Sequence, residues 1–231
     1  MPYQELVQLG RSARTIDITM RHYCGDFEVH LTVLAPDKPR LVRFQEWCRI
    51  REYKCVWIVL ARGEHVEQPM ATWRRRDTNL TRVLEEAEHH ARELKRDAIP
   101  VVRVKVEAAP HNDEIPLVDA DALAHPVGNY FEHHVKLLRD KTAPCEALVR
   151  VCQRFGAHLS RNAFREAGAG QEERFVTIRS YSVGWVSSEQ QLRQLLVVLK
   201  GIGEQIIEYE SEYCVYDSNL RLDAGWLDRS T

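Results

Sequence analysis

Phe27-Glu28-Val29-His30 returns, at an offset of 104 residues, as Phe131-Glu132-His133-His134. The likeness extends well past four residues. The same offset carries Leu41 to Cys145, Phe44 to Leu148, Trp47 to Val151 and Cys48 to Cys152. An offset of 105 carries Ala71-Thr72-Trp73-Arg74 onto Val176-Thr177-Ile178-Arg179, and residues 101–106 onto 206–211. One residue of slippage between distant blocks is what a duplication with loop changes leaves. The chain therefore reads as one unit written twice.

Each copy follows the same order. Residues 27–34 alternate, with Phe27, Val29, Leu31 and Val33 on one side and Glu28, His30 and Thr32 on the other. This is the period of a strand with one buried face. Leu41, Phe44, Trp47 and Cys48 then form a helical stripe. Strands are expected at 53–61 and 70–76. Asp77, Thr78 or Asn79 can cap a helix over 79–96, and 99–107 reads as a closing strand. In the second copy strands are expected at 130–138, 157–165, 173–182 and 204–216. Helices are expected at 144–155 and 187–200, the latter opened by Ser187 or Ser188 and closed by Gly201.

The order β-α-β-β-α-β is that of the ferredoxin-like split βαβ motif. The sequence thus predicts an α+β protein: a tandem duplication of a ferredoxin-like unit. It would have two antiparallel sheets with helices on one face of each, and strands one and three of each copy adjacent. The expected domains are 1–109, a linker over 110–128, and 129–231 with a C-terminal tail anchored by Trp226. Pro110, Pro116 and Pro126 mark the linker.

Composition narrows the function classes. Hydrophobic residues make up 44% of the 231 and charged residues 29%, so a packed core rather than disorder is expected. Net charge is −2. That balance, with no aromatic stacking platform, argues against a nucleic-acid partner. The Arg74-Arg75-Arg76 run reads as a solvated strand end. No apolar run reaches the ~20 residues that cross a bilayer, and Met1-Pro2-Tyr3-Gln4-Glu5 lacks a signal-peptide pattern. The six cysteines include no C-x-x-C pair. Reduced thiols and a cytoplasmic setting are the expectation.

The chemistry sits on the face of each sheet opposite the helices. Alternation puts Glu28, His30, Thr32, Thr72 and Arg74 there in the first copy. In the second it puts Glu132, His134, Lys136, Thr177 and Arg179 there, with Glu208, Glu210 and Glu212 on the last strand. His158 joins them from strand two. Neighbouring strands lie ~4.8 Å apart, so these side chains reach one another. His is the usual acid–base group near neutral pH. Thr and Arg suit phosphate oxygens. The expected ligand is a small anionic or phosphate-bearing molecule in a polar groove between lobes. His30 and His134 are the candidate catalytic pair for phosphoester hydrolysis.

In this respect the chain resembles the 2H phosphoesterases, bilobal proteins with an H-x-T or H-x-S motif on a central strand of each lobe. His30-Leu31-Thr32 fits that motif. His134-Val135-Lys136 departs from it, with Lys136 where the hydroxyl residue belongs. His158-Leu159-Ser160 matches the letters on a non-equivalent strand. Membership would imply hydrolysis with two histidines, and the departure puts the second one in doubt.

Two other readings stand beside this one. The polar clusters would be cross-strand pairs in faces buried by assembly, including homo-oligomerisation, with no catalysis. Alternatively Glu132, His134, His158 and Glu208 or Glu210 would hold a metal cofactor of the zinc, iron or manganese type. His133 falls on the core side by alternation and reads as a packed histidine. His89 and His90 read as solvated. Gly168-Ala169-Gly170 reads as a flexible turn able to approach a phosphate.

Overall fold

A computed structural model describes residues 22–35, 37–164, 168 and 170–226. The readings of Met1–Glu5, of Ala169 and of the strand end at Arg165 lie outside these. Among the described residues there are eight strands: β1 (Cys24–Val33), β2 (Lys54–Leu60), β3 (Glu67–Asn79), β4 (Val101–Ala108), β5 (Tyr130–Asp140), β6 (His158–Asn162), β7 (Gln171–Tyr181) and β8 (Gln205–Asp217). The helices among the described residues are α1 (Lys38–Ile50), α2 (Leu80–Arg96), α3 (Asp119–Ala122), α4 (Glu146–Phe155) and α5 (Trp185–Gly201). A 3-10 turn follows at Leu220–Asp223.

The chain divides into two compact units. Unit one takes residues up to Val56, Gln68–Glu114 and Cys214–Leu222. Unit two takes Trp57–Glu67, Ile115–Tyr213 and the residues from Asp223 on. In unit one the strand order is β2-β3-β1-β4-β8, and in unit two it is β2-β6-β7-β5-β8. The first and third strands of each copy are neighbours, as expected. The separation into two sheets is corrected. Both β2 and β8 pass from one unit into the other, so the eight strands form one hydrogen-bonded series.

In unit one, Phe27, Val29 and Leu31 of β1 and Ala71 and Trp73 of β3 are buried, as are Phe44, Trp47 and Cys48 of α1 and Val83, Leu84, Ala87 and Leu94 of α2. In unit two the core joins Val135 and Leu137 of β5, Val176 and Ile178 of β7, Leu148, Val151 and Cys152 of α4, and Leu192, Leu195 and Leu199 of α5. Each such aliphatic side chain contributes ~1.5–3 kcal/mol on burial.

The helix ends follow local chemistry with one exception. Asp37 caps α1 by accepting from Arg40 N at 2.8 Å, and Asn79 caps α2 by accepting from Arg82 N at 3.1 Å. Helix α4 ends on Gly156, whose φ of 62° suits glycine. Helix α5 departs from the serine cap expected. It begins after Gly184, whose N–H donates to the Asp119 carboxylate at 2.8 Å. Trp185 N and Val186 N donate to the carbonyls of Pro116 and Leu117 at 2.8 and 3.1 Å. The first N–H groups at this helix end are therefore satisfied by residues 116–119. Gly201 is the helix's last residue, and Ile202 is its C-cap. No described helix is long and apolar enough to cross a membrane.

Candidate functional site

The strand registers place like residues in like positions in the two units. In unit one His30 lies opposite Thr72 and Glu28 opposite Arg74. In unit two His134 lies opposite Thr177 and Glu132 opposite Arg179. Both histidines bring Nδ1 to 2.9 Å from the threonine Oγ1. Both arginines form an ion pair with their glutamate.

The carboxylate on the second ring nitrogen differs. His30 Nε2 lies 2.7 Å from Oε2 of Glu107, which comes from β4. Lys105 Nζ lies 2.6 Å from the other oxygen of Glu107. His134 Nε2 instead lies 2.9 Å from Glu132 on its own strand. An ionised carboxylate only accepts, so in unit one His30 Nε2–H donates to Glu107. A neutral ring then takes the Thr O–H at Nδ1, and a protonated ring donates from Nδ1 to the Thr oxygen. His30 is thus satisfied in either charge state.

Burial separates the two clusters. Glu107, Lys105 and Thr72 are buried in unit one, yet Arg74 is exposed. In unit two Glu132, Thr177 and the Arg179 side chain are all buried, while the His134 side chain is 29% exposed. Arg179 Nη2 also lies 2.9 Å from Asp223 Oδ2, and its guanidinium lies 4.6 Å from the Tyr130 ring centre. Burial opposes the Arg179 charge, but Glu132, Tyr130 and Asp223 outweigh it and hold its pKa well above the ordinary value. Nη1 of Arg179 is buried and has no hydrogen-bond partner among the described residues.

The other candidates spread outward. Thr32 is buried opposite Arg103, which pairs with Asp217 at 3.0 and 2.5 Å. Lys136 lies 3.4 Å from Glu173 and 3.7 Å from Glu208. His158 lies opposite Thr177 on the far side from His134, and its ring sits 5.4 Å from Trp226. Burial pushes its pKa down to about 4. The metal set of Glu132, His134, His158 and Glu208 or Glu210 does not converge to within 4.8 Å among the described residues. A whole strand stands between His134 and His158.

The remaining histidines divide. His133 is buried, with Nδ1 2.8 Å from Ser211 Oγ and Nε2 2.7 Å from Ser188 Oγ. His90 corrects the expectation of a solvated residue. Its side chain is 11% exposed, ringed by Trp47, Tyr53 and Trp73, with Tyr53 Oη at 2.9 Å and Glu93 Oε2 at 3.0 Å. His89 is exposed. Arg75 likewise is not simply solvated, since it pairs with Glu86.

Glu107 lies in the closing strand expected over 99–107, but its bond to His30 had no signal in the sequence. Tyr130 shares the parity of Glu132 and His134 in the strand expected at 130–138, but nothing in the sequence tied the tail residue Asp223 to Arg179. A separate cavity of about 580 Å³ in unit one is lined by Asp26, Asp77, Arg82, His111 and Asn112 among others. None of the candidate site residues lines it.

No family model matches the chain, and no curated protein matches it. One similar solved structure is a protein from Fusobacterium nucleatum provisionally described as a monooxygenase. It is 9% identical over 89% of this chain and 97% of its own, with a TM-score of 0.28. A likeness that low carries no argument about function.

Proposed function

We propose that this is a duplicated ferredoxin-like protein that binds a small ligand through an anionic group, carboxylate or phosphate, on the polar sheet face of unit two. The duplication is supported by the matched His–Thr and Glu–Arg pairs at offsets of 104 and 105. The binding reading rests on one observation: the buried Nη1 of Arg179, a donor with no hydrogen-bond partner among the described residues. His134 stands on the same face and reaches solvent. An acceptor oxygen at Nη1 would complete the guanidinium, and His134 would hold the second oxygen. A cytoplasmic setting belongs to the same reading.

Hydrolysis at His30 and His134 has less support than binding. Both ring nitrogens of each are engaged, so a substrate would have to displace a threonine or a carboxylate. Calorimetric titration with inorganic phosphate and with succinate tests binding. Saturable heat in the wild type, reduced at least tenfold in Arg179→Lys and His134→Gln, is expected. No heat with either anion refutes the proposal. Turnover of a bis-aryl phosphodiester, abolished in His134→Gln, would restore the hydrolase reading.

A specific observation favours a second reading without a ligand. Glu28, Arg74, Glu132, Arg179 and Lys136 each already stand in an ion pair. On this reading the polar faces are structural and the protein acts through assembly. Sedimentation would then give a stable oligomer, and the anions would leave the melting temperature unchanged.

A further inference from the structure

We propose that His89, His90 and Glu93 bind a divalent metal ion of the zinc type on helix α2 of unit one, at a site independent of the polar sheet face. His89 and Glu93 stand one helical turn apart, and His90 meets the same carboxylate. His90 Nδ1 lies 3.0 Å from Glu93 Oε2, and His89 Nε2 lies 3.7 Å from Glu93 Oε1. One ligand atom from each of the three residues falls within 4.8 Å of the other two. The 3.7 Å separation is too long for a hydrogen bond. It is close to the ~3.4 Å between two ligand atoms that share a tetrahedral zinc at ~2.1 Å. Two imidazoles and a carboxylate suit zinc, nickel or copper rather than calcium or magnesium.

The surroundings prepare His90 as a ligand. Its ring makes T-shaped contacts with Trp47, Tyr53 and Trp73, at centroid distances of 5.3, 5.5 and 5.6 Å. Nε2 lies 2.9 Å from Tyr53 Oη, which in turn lies 3.2 Å from Glu86 Oε1 and 3.1 Å from Arg75 Nη2. An ionised Glu93 only accepts, so in the absence of metal Nδ1–H donates to it. In a neutral ring Nε2 then carries no proton, and Nε2 and Glu86 compete for the single proton of the Tyr53 hydroxyl. A metal ion at Nδ1 removes that conflict. Nε2–H then donates to Tyr53 Oη, Arg75 donates to the same oxygen, and the Tyr53 hydroxyl donates to Glu86. A ligating histidine is usually held through its second ring nitrogen in this way. Arg51 Nη2 lies 3.1 Å from both Glu93 oxygens and fixes the carboxylate. A carboxylate has about four lone-pair sites, so it can hold Arg51 and a metal ion together.

The corresponding helix of unit two has no such set. Helices α2 and α5 are both 17 residues long, and Gln194, Leu195 and Val198 stand where α2 has His89, His90 and Glu93. Leu195 is fully buried, so the place that His90 takes in unit one is filled by an apolar side chain in unit two.

The experiment strips the full chain with EDTA, removes the chelator and titrates the protein with zinc in a calorimeter. One tight, saturable equivalent is expected. His89→Ala changes an exposed side chain, so it should abolish that equivalent and leave the melting temperature of the metal-free protein unchanged. Glu93→Gln and His90→Gln should abolish it too, and Tyr53→Phe should weaken it roughly tenfold or more. Nickel quenches nearby indoles, so it should dim the fluorescence of Trp47 and Trp73 in the wild type but not in His89→Ala. A wild type that binds no saturable zinc, or a tight equivalent that survives His89→Ala or Glu93→Gln, overturns the proposal.

Discussion

His133 is held neutral by its surroundings. Burial between Ser188 and Ser211 pushes its pKa down to about 4 from an ordinary 6.5. Between those two values the unfolded chain binds more protons than the folded one, so stability falls as pH falls through that window. The full difference is about 3 kcal/mol once pH is below both values. Melting temperature measured from pH 7.5 to 4.5 should drop on the acid side, and His133→Gln should flatten that drop. A parallel acid limb in the variant would show that other groups carry it. Arg179 and Arg74 make a second contrast between single residues. Removing Arg179 leaves Glu132 and Asp223 buried beside no cation from it, and Arg179→Leu should cost ~3–5 kcal/mol. Arg74→Leu, at an exposed pair, should cost under ~1 kcal/mol by urea denaturation. The equivalence of these two arginines was legible in the sequence from strand alternation alone. The difference between them was not, because Asp223 comes from the tail, which no local pattern ties to β7.

Strand faces are short-range matters and helix ends are not always so. A period of two is enough to put His30 on the face of Thr72 and His134 on the face of Thr177, and the registers pair them. The start of α5 was misread because its cap comes from residues 116–119 rather than from a serine in sequence. Ser188, one of the expected caps, is instead spent on His133. The same contact explains Gly184. A Cβ there would lie 2.3 Å from the Val118 carbonyl carbon, and backbone cannot step aside as a flexible side chain would. Gly184→Ala should therefore lower the melting temperature by more than Gly156→Ala does. Gly156 carries a positive φ but has open space around its Cβ position, so its cost is limited to ~1 kcal/mol of backbone strain. Equal losses in the two variants would refute the collision. His90 was misread for a related reason. Helical periodicity marks a stripe, but it does not report the aromatic rings that Tyr53 and Trp73 bring from two strands.

At the scale of the whole chain, segments are exchanged between the halves. Trp57–Glu67 belongs to unit two and Cys214–Leu222 to unit one. The likeness between the two stretches of sequence suggests a cut near residue 110, but such likeness does not say which strand edges pair. In unit one β4 continues into contact with the end of the chain: Ser218 N donates to the Val104 carbonyl at 2.9 Å and Asn219 Nδ2 to the Val102 carbonyl at 3.0 Å. In unit two Trp226 is buried, with its indole N–H donating to the Leu159 carbonyl at 3.1 Å. Trp226→Ala should cost ~3–5 kcal/mol. A fragment of residues 1–114 leaves β4 with an unpaired edge. It should elute as aggregate in size exclusion, and regain a folded circular-dichroism signal only when coexpressed with 115–231. A monomeric, cooperatively melting 1–114 fragment would contradict this.

The segment Cys214–Leu222 also sets a schedule. A ribosome makes the chain from its amino end, and unit one lacks its last strand until residue 222 has left the exit tunnel. Residues 1–222 must all be synthesised before unit one can close, so its first strands wait for a segment made long after them. Any chaperone that attends nascent chains would meet this protein with β4 still open at every length short of residue 222.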